Sequence, residues 1–125
     1  MKRQLSGITF FALGLFLVCS ACHHRNRISV SISESDTKYK IIASFNERSN
    51  TRVERCLNKY LTGRNNMSFL NTRIDGQLTL DDRTSFYIRK APGTLVIDFN
   101  KANNAAHSYE DMKALGEALQ TELKQ

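Results

Sequence analysis

The sequence predicts a single α+β domain over residues 28–125: an antiparallel sheet of about five strands, with both helices on one face. The order read along the chain is hairpin, helix, three-stranded meander, helix. Three observations carry this. Apolar residues recur at every second position in 28–45 and again in 74–99, the period of half-buried strands. They recur at three- and four-residue intervals in 53–61 and 109–123, the period of amphipathic helices. The strand-like segments are joined by short polar turns, which force antiparallel neighbours.

Each element has its own signature. Ile28, Val30 and Ile32 alternate with Ser29, Ser31 and Ser33, and a turn at 34–37 leads to Tyr39, Ile41, Ala43 and Phe45 alternating with Lys40, Ile42 and Ser44. Ile42 is the one apolar residue on the polar side of that second arm. Thr51 and Glu54 have the spacing of a capping box, in which each side chain satisfies the other residue's backbone amide. Val53, Cys56, Leu57, Tyr60 and Leu61 follow on one stripe, predicting a helix over 52–62 with Gly63 as its left-handed C-terminal residue. Its outer face carries Arg52, Arg55 and Lys59. In the meander, Ile74, Leu78 and Leu80 share a side, Asp81-Asp82 makes a turn, and Phe86 and Ile88 continue the apolar side. Ala91-Pro92-Gly93-Thr94 has Pro and Gly where a type II turn wants them, and Leu95, Ile97 and Phe99 complete the third arm. Ser108, with Asp111 three residues on, is placed to cap a last helix whose stripe is Tyr109, Met112, Leu115, Leu119 and Leu123.

Ahead of the domain the chain reads Lys2-Arg3, an apolar run over 8–18, then Cys19-Ser20-Ala21-Cys22 and the polar stretch His23-His24-Arg25-Asn26-Arg27. Cations, a short apolar segment and small residues before a cut make the three parts of an export signal. A membrane span needs about 20 predominantly apolar residues, more than this run holds. Ser20-Ala21-Cys22 resembles the lipobox of bacterial lipoproteins, although Cys19 stands where that family has Leu. The resemblance covers residues 1–22 alone. It implies a signal peptide over 1–21, a lipidated Cys22 as the mature N-terminus, a short tether over 22–27, and a membrane-anchored, extracytoplasmic protein of the cell envelope. In a two-membrane bacterium, the absence of an acidic residue directly after Cys22 favours the outer membrane. An uncleaved anchor or an ordinary secretory signal would also use this segment.

The chain of 125 residues carries a net charge of +6, and without residues 1–21 it keeps sixteen basic against twelve acidic side chains. An exported protein meets no genome, so this basicity points to anionic membrane surfaces or acidic partners and not to nucleic acid. With Cys19 leaving in the signal and Cys22 lipidated, Cys56 has no intramolecular disulfide partner.

Catalytic motifs are missing. Cys56 belongs to an apolar helix face, whereas a reactive thiol wants an electropositive, partly exposed setting with a base in reach, and His107 sits in a distant polar loop. His23-His24 are adjacent rather than a helical turn apart, Asp81-Asp82 lack the alternating oxygens of a calcium loop, and the six glycines are too scattered to cradle phosphate. No metal, cofactor or catalytic set is therefore expected. The sheet face turned away from the helices should present Lys40, Ile42, Ser44, Gln77, Thr79, Tyr87, Arg89, Val96 and Asp98. Lys40, Tyr87 and Arg89 are its candidate binding residues, Tyr and Arg being enriched where partners dock. The expected function is a non-enzymatic binding or assembly module of the envelope, with another envelope protein or an anionic polymer as partner. The alternatives are an inhibitor of a secreted enzyme, or a small hydrolase whose acids, Asp75 and Asp98, meet in space.

Overall fold

In a computed structural model of the chain, the described residues are 28–62 and 68–124. Cys22, His23, His24 and Gly63 lie outside them. The first hairpin is β1 (Ser29–Glu34) and β2 (Lys38–Ser44); α1 (Asn50–Leu61) follows a single 3-10 turn over Glu47–Ser49. The meander is β3 (Ile74–Thr79), β4 (Ser85–Ala91) and β5 (Thr94–Asn100), and α2 (Ala106–Leu123) closes the chain. All five strands form one antiparallel sheet in the order β1-β2-β5-β4-β3. α1 thus carries the chain from β2 to the far edge, and the meander walks back until β5 pairs with β2.

Strand parity decides which face is covered. Tyr39, Ile41 and Ala43 of β2, Phe86 and Ile88 of β4, and Leu95, Ile97 and Phe99 of β5 are buried, while the residues between them are half-buried or exposed. Val53, Cys56, Leu57 and Leu61 of α1 and Met112, Leu115, Leu119 and Leu123 of α2 join that same core. Both helices therefore lie on one face and the other face is open. α2 approaches the sheet closely at Gly116, where a β-carbon would run into the Tyr39 hydroxyl. Tyr39 is 2% exposed and has nowhere to retreat.

The turns follow their residues. Gly93 has φ +82°, as the third position of a type II turn requires. Its carbonyl accepts from the Phe45 amide (3.0 Å) and its amide donates to Asn50 Oδ1 (3.0 Å), which fixes the start of α1 at this end of the sheet. Asp82 Oδ1 accepts from the Thr84 amide (3.0 Å) in the β3–β4 turn, and Arg83 takes φ +73°.

Both expected helix caps differ from the sequence reading. α1 starts at Asn50, so Thr51 is already inside the first turn, and Ser49 at the cap makes no side-chain cap bond. Glu54 is turned inward to a lysine instead of back to its own helix start. Likewise α2 starts at Ala106 after Ala105, and Ser108 points its hydroxyl at Thr84 Oγ1 (2.6 Å) in a buried pair. In each case a buried polar partner outbids a cap that water can replace at the surface.

Candidate functional site

Register lays the open face out in rows. Lys40, Asp98, Tyr87 and Gln77 are cross-strand neighbours on β2, β5, β4 and β3, and Ile42, Val96, Arg89 and Asp75 form the adjacent row. The candidate residues Lys40, Tyr87 and Arg89 are thus brought onto one surface around the Ile42–Val96 pair. Ile42 is 44% exposed, so the apolar misfit of the sequence sits in the open.

Tyr87 is held in place by its hydroxyl, which donates to Asp75 Oδ1 at 2.6 Å. That hydrogen bond, together with partial burial and the nearby charge, pushes the phenol's pKa up, so it stays a neutral donor. Lys38 Nζ lies 3.7 Å from Asp98. Lys40 and Arg89, by contrast, make no hydrogen bond or ion pair with any described residue. A hollow of about 220 Å³ opens beside this row, lined by Lys38, Gln77, Tyr87, Asp98 and Asn103 among others.

Asp75 and Asp98 share the open face but not a cleft. β4 runs between their strands and their register differs by two residues, which puts their backbones about 12 Å apart. Asp75 is bonded to Tyr87, and the hollow that contains Asp98 does not include it. Cys56 is 8% exposed and burial pushes its thiol pKa up, the reverse of what a nucleophile needs. It lies beside Glu122 near the end of α2, whereas His107 is at the beginning, 15 residues or about 22 Å along the helix. His107 Nε2 is instead 3.6 Å from Asp82 Oδ2. Among the described residues no group of three or more His, Cys, Asp and Glu is placed to hold a metal ion, and no helix is long and apolar enough to cross a membrane.

A second polar feature escaped the sequence reading. A cleft of about 470 Å³ beside the start of α1 has Lys90 and Glu54 in its floor, with Asn50, Asn71, Thr72 and Arg73 among its walls. Lys90 Nζ donates to Glu54 Oε2 (2.7 Å) and to the Thr72 carbonyl (2.5 Å), and the Asn71 amide donates to the same Glu54 oxygen (3.1 Å). Asn58, one turn further along α1, accepts from the Phe69 amide (2.7 Å) and donates to Ser68 Oγ (3.2 Å). Together these side chains fasten the segment entering β3 to α1 and β4, which accounts for the buried charges structurally. The signal was present: Lys90 continues the inward parity of Phe86 and Ile88, and Glu54 falls between Val53 and Leu57 on the inward side of the helix.

No family model matches the chain, and neither a curated protein nor a solved structure matches it.

Proposed function

We propose that the protein is a non-enzymatic module of the cell envelope, anchored by a lipid on Cys22, which docks a second envelope protein through the open face of its sheet. The observation that carries this is the grouping on one uncovered face of exposed Ile42 beside Val96, the fixed Tyr87 hydroxyl, and two cations, Lys40 and Arg89, that make no hydrogen bond or ion pair with any described residue. An apolar centre with an aromatic and an arginine at its edge is the composition of a protein-docking patch. Free cations at the rim select a partner whose own rim is acidic. The anchoring half of the proposal rests on the Ser20-Ala21-Cys22 segment, and its consequence is that Cys22→Ser moves the protein from the membrane to the soluble fraction.

The test is photo-crosslinking in intact cells, with the crosslinking residue at position 42 and a control at position 117, exposed on α2. A discrete protein adduct at 42, absent at 117 and lost in the Tyr87→Ala or Arg89→Gln background, is the expected result. Equal labelling at both positions, or an adduct at 42 indifferent to both substitutions, would refute docking through this face.

A further inference from the structure

The side of the molecule opposite the open sheet face carries its own charge pattern. Arg48, Arg52, Arg55 and Lys59 are spaced four, three and four residues apart, so they stack on one side of α1 and of the turn that leads into it. All four are exposed. The last three surround a shallow hollow of about 160 Å³ floored by Cys56, with Glu122 of α2 as its acid. Arg52 is partly committed there, donating from Nη1 to the Glu122 carbonyl (2.9 Å), and Lys59 lies over the Tyr60 ring at 5.4 Å. Arg48 and Arg55 make no ion pair with any described residue.

Where the chain enters the fold gives this stripe its meaning. Ser29, the first residue of β1, pairs with Ser44 at the end of β2. That is the end at which the Gly93 turn holds Phe45 and Asn50, the first residue of α1. The tether side of β1 and the beginning of the basic stripe therefore share one end of the molecule. The six residue-to-residue steps from Cys22 to Ile28 can span at most about 20 Å, close to the 18 Å or so that α1 itself covers. A domain held that near a bilayer has its cations within reach of the headgroups, where the field of anionic lipid acts within a Debye length.

We propose that the exposed side of α1, through Arg48, Arg52, Arg55 and Lys59, binds the surface of an anionic lipid bilayer and so orients the domain with α1 toward the membrane and its open sheet face away from it. The setting rests on the lipid-anchored reading above. The chemistry does not, since cations attract anionic headgroups with or without an acyl chain on Cys22. The orientation follows from the fold, because the helices and the open face lie on opposite sides of one sheet.

The test uses the full chain with vesicles of phosphatidylcholine alone and of phosphatidylcholine mixed with phosphatidylglycerol. The apolar segment over 8–18 partitions into both, so the ratio of the two affinities isolates the electrostatic part. Each cation near an anionic surface contributes about five-fold in affinity, so Arg48→Gln, Arg55→Gln and Lys59→Gln together should lower that ratio on the order of 100-fold. The matched triple Lys38→Gln, Arg73→Gln and Arg83→Gln removes the same charge from exposed positions outside the stripe and should leave the ratio within about three-fold. Equal losses in the two triples would mean that net charge alone is at work and would overturn the proposal, as would an unchanged ratio in the α1 triple. Cys22→Ser should keep the wild-type ratio, so a failure of lipid anchoring in cells and a failure of the stripe are read separately.

Discussion

Arg89 and Lys90 are neighbours on β4 and have opposite fates. Strand alternation turns Arg89 to the open face, where it is exposed and makes no hydrogen bond or ion pair with any described residue, and turns Lys90 into the covered face, where it is 6% exposed and held by Glu54 and the Thr72 carbonyl. Two cations of equal formal charge are separated by the period of a strand into one committed to the fold and one left for recognition. The difference teaches that basicity here is not a single property. A charge taken out of water must be paired to exist at all, whereas a charge left on a rim costs the fold almost nothing and is free to choose a partner.

The largest effect expected is at the covered member of this pair. Lys90→Ala leaves the Glu54 carboxylate buried without its counter-charge and should cost about 3 to 5 kcal/mol in urea denaturation. Arg89→Ala should fall within about 0.5 kcal/mol. Replacing both buried partners, Lys90→Met with Glu54→Leu, should recover only part of the loss, because the Asn71 amide and the Thr72 carbonyl lose their partners as well. Similar costs for Lys90→Ala and Arg89→Ala would break the comparison outright.

The same contrast can be sharpened with apolar residues, free of charge effects. Leu57 is 0% exposed between α1 and the sheet, and Ile42 is 44% exposed on the other side. Leu57→Ala should cost about 2 to 5 kcal/mol through lost burial and the cavity left behind. Ile42→Ala should change stability by no more than about 0.5 kcal/mol while weakening the crosslink-defined partner contact. A large stability loss at Ile42 would mean that the open face is covered in the native protein.

Much of this architecture was legible in the sequence because periodicity reports burial. The alternation at 39–45 and 95–99 and the stripe through Leu57, Leu115 and Leu119 place the covered face correctly, and Pro92-Gly93 marks its turn. Parity likewise put Lys40, Tyr87 and Arg89 on one surface. What was not legible depends on pairings distant in the chain. Nothing local says that β5 inserts beside β2, or that Thr51-x-x-Glu54 and Ser108 will give up their caps to Lys90 and Thr84. A cap competes with water at a helix end, and a buried partner supplied by the tertiary fold wins that competition. The Tyr87–Asp75 bond is of the same kind, a diagonal contact that exists only once the register is set.

The smallest effect expected concerns an exposed counterpart of the buried ion pair. Glu34, at the end of β1, accepts from Lys101 Nζ (2.7 Å) and from the Tyr109 hydroxyl, while Lys101 also reaches the Ser35 carbonyl (2.7 Å) and lies over the Tyr109 ring at 4.9 Å. The Lys101 bond, with the Tyr109 bond second, holds the Glu34 carboxyl below its ordinary value of 4.5. The same contact from the other side raises the Tyr109 phenol to about 12, chiefly through the hydrogen bond to Glu34. A carboxyl whose pKa is lowered on folding binds protons more readily in the unfolded chain, so its stabilising contribution is present above pH 4.5 and is lost as pH falls through the lower folded value. Carbon-detected NMR titration of the Glu34 side chain should therefore show a midpoint below 4.5 in the native protein. Lys101→Gln should raise that midpoint more than Tyr109→Phe does, following the order of the two contacts. Only part of the acid limb of the stability curve should flatten in either variant, because Asp82 is also held low: burial would raise it, but the Thr84 hydrogen bonds and His107 outweigh that. An ordinary midpoint for Glu34 in the wild-type protein would show that solvent has undone the exposed pair, in contrast to the buried Lys90–Glu54 pair.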